Sequence, residues 1–197
     1  HTTLFLSESE TKHTPLGWTI DDAAGEAFDK VSKILGLGYP GGPVIDRLAR
    51  CGNRHAVTFP RAYLEKDSLD FSFSGLKTVV LYHHRGQDVK TPGAKTQSEQ
   101  EVADTAASFQ EAVIDVLVDK TFLASKMYNA RGILLGGGVA ANSRLRQRME
   151  EKSKETGIPF NPNRDSSMLV LRRKEVTFFN YGHAHYRAPQ VHLRGRW

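Results

Sequence analysis

The sequence predicts an α/β domain, and three observations carry that reading. Residues 131–160 run as an apolar strand (RGILLGG), a glycine turn, a basic helix (ANSRLRQRMEEKSKETG) and a short strand (IPF), the alternation that builds parallel sheets. Two upstream segments place apolar residues at helical intervals. The chain opens on HTTLFLSES, whose first residues alternate like a strand.

Each element follows from local pattern. LGWTI at 16–20 can pair with the opening strand. DDAAGEAFDKVSKILGLG then changes to helical spacing, with Ala24, Phe28, Val31 and Leu35 on one face. Asp21 or Asp22 can cap its start, and Gly36 or Gly38 can end it. The turn YPGGP leads into a short helix, VIDRLARCG, with Pro43 suited to its first position. FPRAYLEKDSLDFSFSGLKTVVLYHH offers short aromatic strand candidates, then a helix start at SGLKT capped by serine. Residues 84–98 are polar, contain Pro92 and Gly93, and read as a surface loop. A long helix is expected from about 98 to 128, since Val102, Ala106, Phe109, Val113 and Leu117 recur at the right intervals. Beyond Asn161 only the patches MLVL and VTFF stand out before a basic end, a strand pair or a loosely held tail. The expected division is a core over 1–160 and a divergent basic segment over 161–197.

Composition narrows the class. With 197 residues and 39% hydrophobic content the chain can bury a core for one compact domain or two small lobes. The single cysteine, Cys51, cannot form an internal disulfide, and no run of about 18 apolar residues is present to span a bilayer. A reducing, cytoplasmic setting without membrane attachment is the expectation. The start on a strand-like run, without a charged-then-apolar leader, reads as the middle of a protein. Residues 1–142 carry 15 Lys/Arg against 17 Asp/Glu and residues 143–197 carry 12 against 5, so the net charge of +5 is C-terminal. That gradient suits contact with an anionic polymer such as RNA, and equally a solvated basic face.

The residues able to carry chemistry cluster at glycines. Gly136, Gly137 and Gly138 follow a buried strand and precede a helix. There, bare backbone N–H groups and the positive end of a helix can meet a phosphate. A tight strand-to-helix turn needs the same residues, and the Gly-Lys-Ser/Thr ending of a P-loop is missing. Asn142 can cap the following helix or reach a ribose or base. Asp22, Glu26 and Asp29 share one helical side, a crowding that Lys30 and Lys33 can offset; Asp29 stands apart because it follows core-facing Phe28. Gly41 and Gly42 permit close backbone approach, and Asp46 projects from the helix after them. Ser72, Ser74 and Lys77 have no patterned histidine partner, so a helix cap and a charge pair account for them. His83 and His84 suit a helix end, where positive charge is favoured. His183 and His185 alternate on one strand face without metal-ligand spacing around them.

Taken together, HTTLFL, GWTIDDAAGEAFDKVSKILGLGYPGGPVIDRLA, DFSFSGLKTVVLY, SFQEAVIDVL and ILLGGGVAANSRLR resemble the TsaD family. Its members are the tRNA N6-adenosine threonylcarbamoyltransferases, once misnamed O-sialoglycoprotein endopeptidases. The resemblance implies an actin/hexokinase/Hsp70-like ATPase fold, here partial, mainly the C-terminal lobe, with a divergent tail after residue 160. It implies transfer of threonylcarbamoyl from the ATP-derived threonylcarbamoyl-adenylate to N6 of an adenosine beside the tRNA anticodon. By position, Asp29, Gly42 and Asn142 correspond to residues holding the nucleotide or adenylate, with Asp46 a ribose contact and Gly136, Gly137 and Gly138 lining the phosphate or sugar. His1 matches the end of the family's Ser-Gly-Gly-His-Thr phosphate loop.

The same resemblance implies iron or zinc, tRNA, an adenylate-forming enzyme and accessory subunits. The family's His-x-x-x-His pair has no counterpart in the sequence, and NRDSSML stands where Thr-Asp-Asn-Ala-Ala is expected, leaving Asp165 as the position nearest to a metal ligand. Metal retention is therefore not expected, and two readings stand: the enzyme, catalytically weakened, or a non-catalytic nucleotide- or partner-binding module of the same descent. A peptidase has neither nucleophile nor zinc-protease spacing here.

Overall fold

A computed structural model describes residues 1–9, 11–85, 97–162 and the strand at 175–180, the last as backbone. Strands β1 (Thr2–Ser7) and β2 (His13–Trp18) are followed by helices α1 (Ala24–Ile34), α2 (Gly41–Ala49), α3 (Ser74–Arg85) and α4 (Glu99–Met127). Strand β3 (Gly132–Gly137), a 3-10 turn (Gly138–Ala141), helix α5 (Ser143–Thr156) and strands β4 (Phe160–Pro162) and β5 (Glu175–Asn180) complete the order. The five strands form one sheet in the order β2-β1-β5-β3-β4. β1 runs antiparallel to both its neighbours, whereas β3 runs parallel to β5 and β4. The architecture is α/β, as the sequence predicts.

The VTFF patch lies within β5, between β1 and β3 in the sheet. MLVL, Asp165, His183 and His185 lie outside the described residues, as does most of the loop expected at 84–98.

Helix α4 is the axis of the core. Ser98 caps it in a capping box with Glu101, two orphan donors satisfied reciprocally. Ala106, Phe109, Val113 and Leu117 are buried as their spacing predicts, but so are Ile114, Val116 and Val118 on other faces, because helices flank α4 on several sides. Phe109 meets Phe28 of α1 edge-to-face at 5.2 Å, which joins the two helices whose periodicity was legible.

The helix starts are capped from a distance. Neither Asp21 nor Asp22 caps α1: Ala23 holds the N-cap position without a side-chain bond, and the Ala24 amide donates to Thr2 Oγ1 of β1 at 2.8 Å. Asp21 instead accepts from Ser72 Oγ, Ser74 Oγ and the Phe73 and Ser74 amides, so α3 is capped by a carboxylate 53 residues upstream in sequence rather than by its own serine. Pro43 is the third residue of α2, not the first, because the helix begins at Gly41 with Pro40 as its cap residue.

The aromatic segment 59–73 does not form strands; its one pairing is an isolated parallel bridge between Thr19 and Phe71. Lys120 holds this segment instead. Buried in α4, its ammonium donates to the carbonyls of Tyr63, Ser68 and Asp70 at 2.8, 2.6 and 2.6 Å, taking the acceptors that a strand ladder would use. Burial pulls the Lys120 pKa down, and three carbonyl dipoles are what a buried ammonium needs to stay charged.

Asp21 yields a prediction. Partial burial works against its charge, but the two hydroxyls and two amides outweigh this and hold its carboxyl below the ordinary value of 3.8. A group depressed on folding stabilises above its unfolded pKa and loses that contribution as pH falls through the folded one. Asp21→Asn should cost about 1 kcal/mol at neutral pH and should lower the slope of stability against pH below 4. Urea denaturation at pH 7 and pH 3 reads both effects; an unchanged acid slope would remove Asp21 from this role.

Candidate functional site

The glycine bend lies at an open end of the sheet. Gly136 and Gly137 still belong to β3, paired with Phe179 and Asn180 of β5, so the turn proper begins one residue later than a turn at 136–138 would. Gly137 has φ 87°, a conformation that side chains resist, and both Gly137 and Gly138 are exposed. A Cβ on Gly138 would meet no atom of the described residues within 4 Å. The bend is therefore open to solvent, at the carboxyl end of parallel strands, where α/β sheets bind ligands.

Three side chains hold helix starts around this bend. Asn142 caps α5: its Oδ1 accepts from the Leu145 amide at 2.9 Å, and its Nδ2 donates to Gln110 Oε1 of α4 at 2.7 Å. At 7% exposure it is a buried joint between α5 and α4. Asp46, from α2 and 8% exposed, accepts from Ser143 Oγ at 2.8 Å and the Ser143 amide at 3.3 Å, and Arg50 reaches its other side at 3.3 Å. Asp29 of α1 accepts from the Gly41 amide at 2.7 Å, holding the first residue of α2. Gly41 has to be glycine here, since a Cβ would lie 2.5 Å from the Phe28 carbonyl oxygen. Gly42, next along, faces open space.

The structure thus links Asp29, Gly42, Asp46, Asn142 and the bend by a continuous path: α1 grips α2, α2 grips the start of α5, and α5 is bolted to α4. His1 stands at the same end of the sheet by register. Its neighbour Thr2 and Gly137 both pair with Asn180, which puts them two strand spacings, about 10 Å, apart.

Sequence reasoning missed the residues behind the bend. Glu111 of α4 receives a two-pronged bond from Arg144, Nε to Oε2 at 2.8 Å and a terminal nitrogen to Oε1 at 2.6 Å. Burial works against the Glu111 carboxylate, but Arg144, with Arg54 and Arg148 behind it, outweighs that and holds the carboxyl below its ordinary value. Arg146 Nε donates to the Ala140 carbonyl at 2.5 Å, clamping the 3-10 turn. The available signal was Gln110-Glu111 inside SFQEAVIDVL, a polar pair in an apolar helix that has to be partnered if buried. Asp22 precedes α1 rather than sharing its face, and Lys30 gathers it together with Glu26 at 2.6 and 2.7 Å. His83 packs edge-on to Phe59 at 5.7 Å, and His84 Nδ1 bonds Gln97 at 2.7 Å.

The family model for TsaD, tRNA N6-adenosine threonylcarbamoyltransferase, matches residues 1–164. The chain belongs to this family. It is 54% identical over 169 residues to a tRNA N6-adenosine threonylcarbamoyltransferase of Moorella thermoacetica, covering 84% of this chain and 47% of that protein. The enzyme of the same name from Clostridioides difficile is 52% identical over 158 residues, 80% of this chain and 45% of its own length. That from Thermotoga neapolitana is 44% identical over 177 residues, 87% and 51% respectively. The chain thus spans about half the length of these TsaD relatives.

No helix among the described residues is long and apolar enough to cross a membrane. Among the same residues no three His, Cys, Asp or Glu side chains converge on a point that could hold a metal ion.

The ion pair behind the bend is testable. Arg144→Met leaves a buried carboxylate with reduced compensation, an expected cost of about 3 kcal/mol. Glu111→Leu combined with Arg144→Met should recover most of that loss, since two apolar groups leave no orphan charge. Urea denaturation of the single and double variants decides the matter; a double variant as unstable as the single would contradict the pairing.

Proposed function

We propose that this chain is the adenylate-holding portion of a tRNA N6-adenosine threonylcarbamoyltransferase: the C-terminal lobe of an actin/hexokinase/Hsp70-like fold over residues 1–160, with a divergent basic segment from 161. The observation that carries the reading is the exposed, side-chain-free bend at Gly137 and Gly138, beside helix starts that Asp29, Asp46 and Asn142 hold in place. The ligand is the ATP-derived threonylcarbamoyl-adenylate, its phosphate against Gly136–Gly138 and the start of α5, where backbone dipoles favour an anion. Its ribose lies toward Gly42 and Asp46. His1 closes the phosphate side from the neighbouring part of the sheet.

The reaction asks little covalent participation of the protein. The N6 amine of the tRNA adenosine attacks the carbamoyl carbon; the new N–C bond forms as the C–O bond to phosphate breaks, AMP departs with the bonding pair, and the nitrogen gives up one proton. The chain's contribution is to fix the adenylate and to stabilise charge building on the departing phosphate. Donors already in position do this without reorganisation. An adenylate-forming enzyme supplies the substrate, and accessory subunits complete a cytoplasmic assembly.

Two glycines test the site without disturbing the fold. Gly42 and Gly138 both have open space where a Cβ would go, so Gly42→Ala should keep or raise stability, by up to about 1 kcal/mol for a helical position, and Gly138→Ala should fold normally. Each added methyl should clash with a ligand lying on the backbone and weaken AMP or a non-hydrolysable adenylate analogue about tenfold in calorimetric titration. Native affinity in both variants would discard the site. Threonylcarbamoyl transfer to unmodified tRNA, with and without a supplied N-terminal lobe, then tests the activity itself.

A further inference from the structure

We propose that Tyr39 and Lys33 form a platform for an unstacked nucleotide of the RNA substrate, the ring against the base and the ammonium against its phosphate. The proposal rests on the reading above that RNA is a substrate. It adds a second place on the chain, adjoining the first at Asp29, where that RNA is held.

The platform is a cavity of about 520 Å³ on the outer side of the α1–α2 turn, lined by Asp29, Lys30, Lys33, Gly36, Gly38 and Tyr39. Gly36 and Gly38, with φ 72° and 92°, leave its floor free of side chains. Tyr39 stands at its rim with 79% of its surface exposed, a large aromatic area that contributes nothing to the core. Its position is nonetheless fixed. Ser32, fully buried, donates through Oγ to the Gly38 carbonyl at 2.7 Å, the Leu37 amide donates to the Ser32 carbonyl at 2.9 Å, and the Gly41 amide is held by Asp29. With the backbone held on both sides, only the two side-chain torsions of Tyr39 remain to be ordered when a base stacks on it, and stacking on tyrosine accepts any base because each has a π-face.

The charges on the rim differ in kind. The Lys30 ammonium is taken by Asp22 and Glu26. Lys33, one turn on, makes no ion pair with a described residue and is exposed, so its charge is available to a phosphate. An aromatic ring, a bare floor and an uncommitted cation match a single-stranded nucleotide, whose bases are splayed out of the helix in loops. A second cavity, about 370 Å³, is lined by Glu101, Asp104, Arg85, His83 and His84 and has no Tyr, Trp or Phe in its lining on which a base could stack. Asp29 connects the two functions, its carboxylate holding Gly41 on one side and lining the platform on the other, so a nucleotide on Tyr39 lies against the same helix start as the adenylate site.

The test titrates a fluorescently labelled anticodon stem-loop RNA into the full chain and into Tyr39→Ala, Tyr39→Phe and Lys33→Gln, with AMP titrated in parallel. Tyr39→Ala should weaken RNA binding about tenfold, Tyr39→Phe should stay within twofold of native, and AMP affinity should not move in either. Lys33→Gln should lower the slope of log K against log salt by about 1, the signature of one lost phosphate contact. Native RNA affinity in Tyr39→Ala overturns the platform, as does an equal loss in Tyr39→Phe or a matching loss of AMP affinity. A chain that binds AMP but no RNA refutes the platform and leaves the adenylate reading standing; one that binds RNA but no AMP does the reverse.

Discussion

The buried amide of Asn142 is the joint on which the candidate site depends. A helix start leaves backbone N–H groups without partners, and α5 begins where the chain has just left a strand through glycines that offer no side chain to help. Asn142 supplies an acceptor to α5 and a donor to Gln110 at once, which neither aspartate nor alanine can do. Asp46 repeats the logic one residue on by binding Ser143, and Asp29 does so for α2. The glycine bend can be bare and still be placed, because the elements on either side are fixed by side chains from elsewhere.

This arrangement separates rigidity from access. The residues that hold the geometry are buried or half-buried, while the surfaces proposed to meet the adenylate, at Gly42, Gly137 and Gly138, are backbone. Behind them the Glu111–Arg144 pair, with Arg148 and Asp115 adjoining, keeps α5 against α4. That network also accounts for part of the C-terminal positive charge. Arg144 and Arg148 are committed to Glu111, Asp115 and Glu151, so this stretch of α5 is neither a solvated basic face nor an open nucleic-acid surface.

Periodicity made the helices legible: α1, α4 and α5 lie where apolar spacing and end signals put them, because those cues are local. What the sequence concealed is long-range. Thr2 caps α1 and Asp21 caps α3 across gaps of 22 and up to 53 residues, and no spacing rule reaches that far. The aromatic run before α3 has strand composition but not strand structure, and three of its carbonyls are bound by one buried lysine from α4. In the site, Asp29 was identifiable by its position after Phe28 and Asn142 by its place at a helix start. That both bond to the protein itself became visible only when Gly41 and Gln110 were brought beside them.

On the proposed function, an adenine nucleotide lies along backbone presented by α2, the bend and the start of α5. Amide chemical-shift mapping of the isotopically labelled chain during titration with AMP reads this directly. Saturable shifts are expected at Gly42, Gly137, Gly138 and Ser143. Shifts confined to the cavity around Val57 and Thr105, or none at these four amides at saturation, would contradict it.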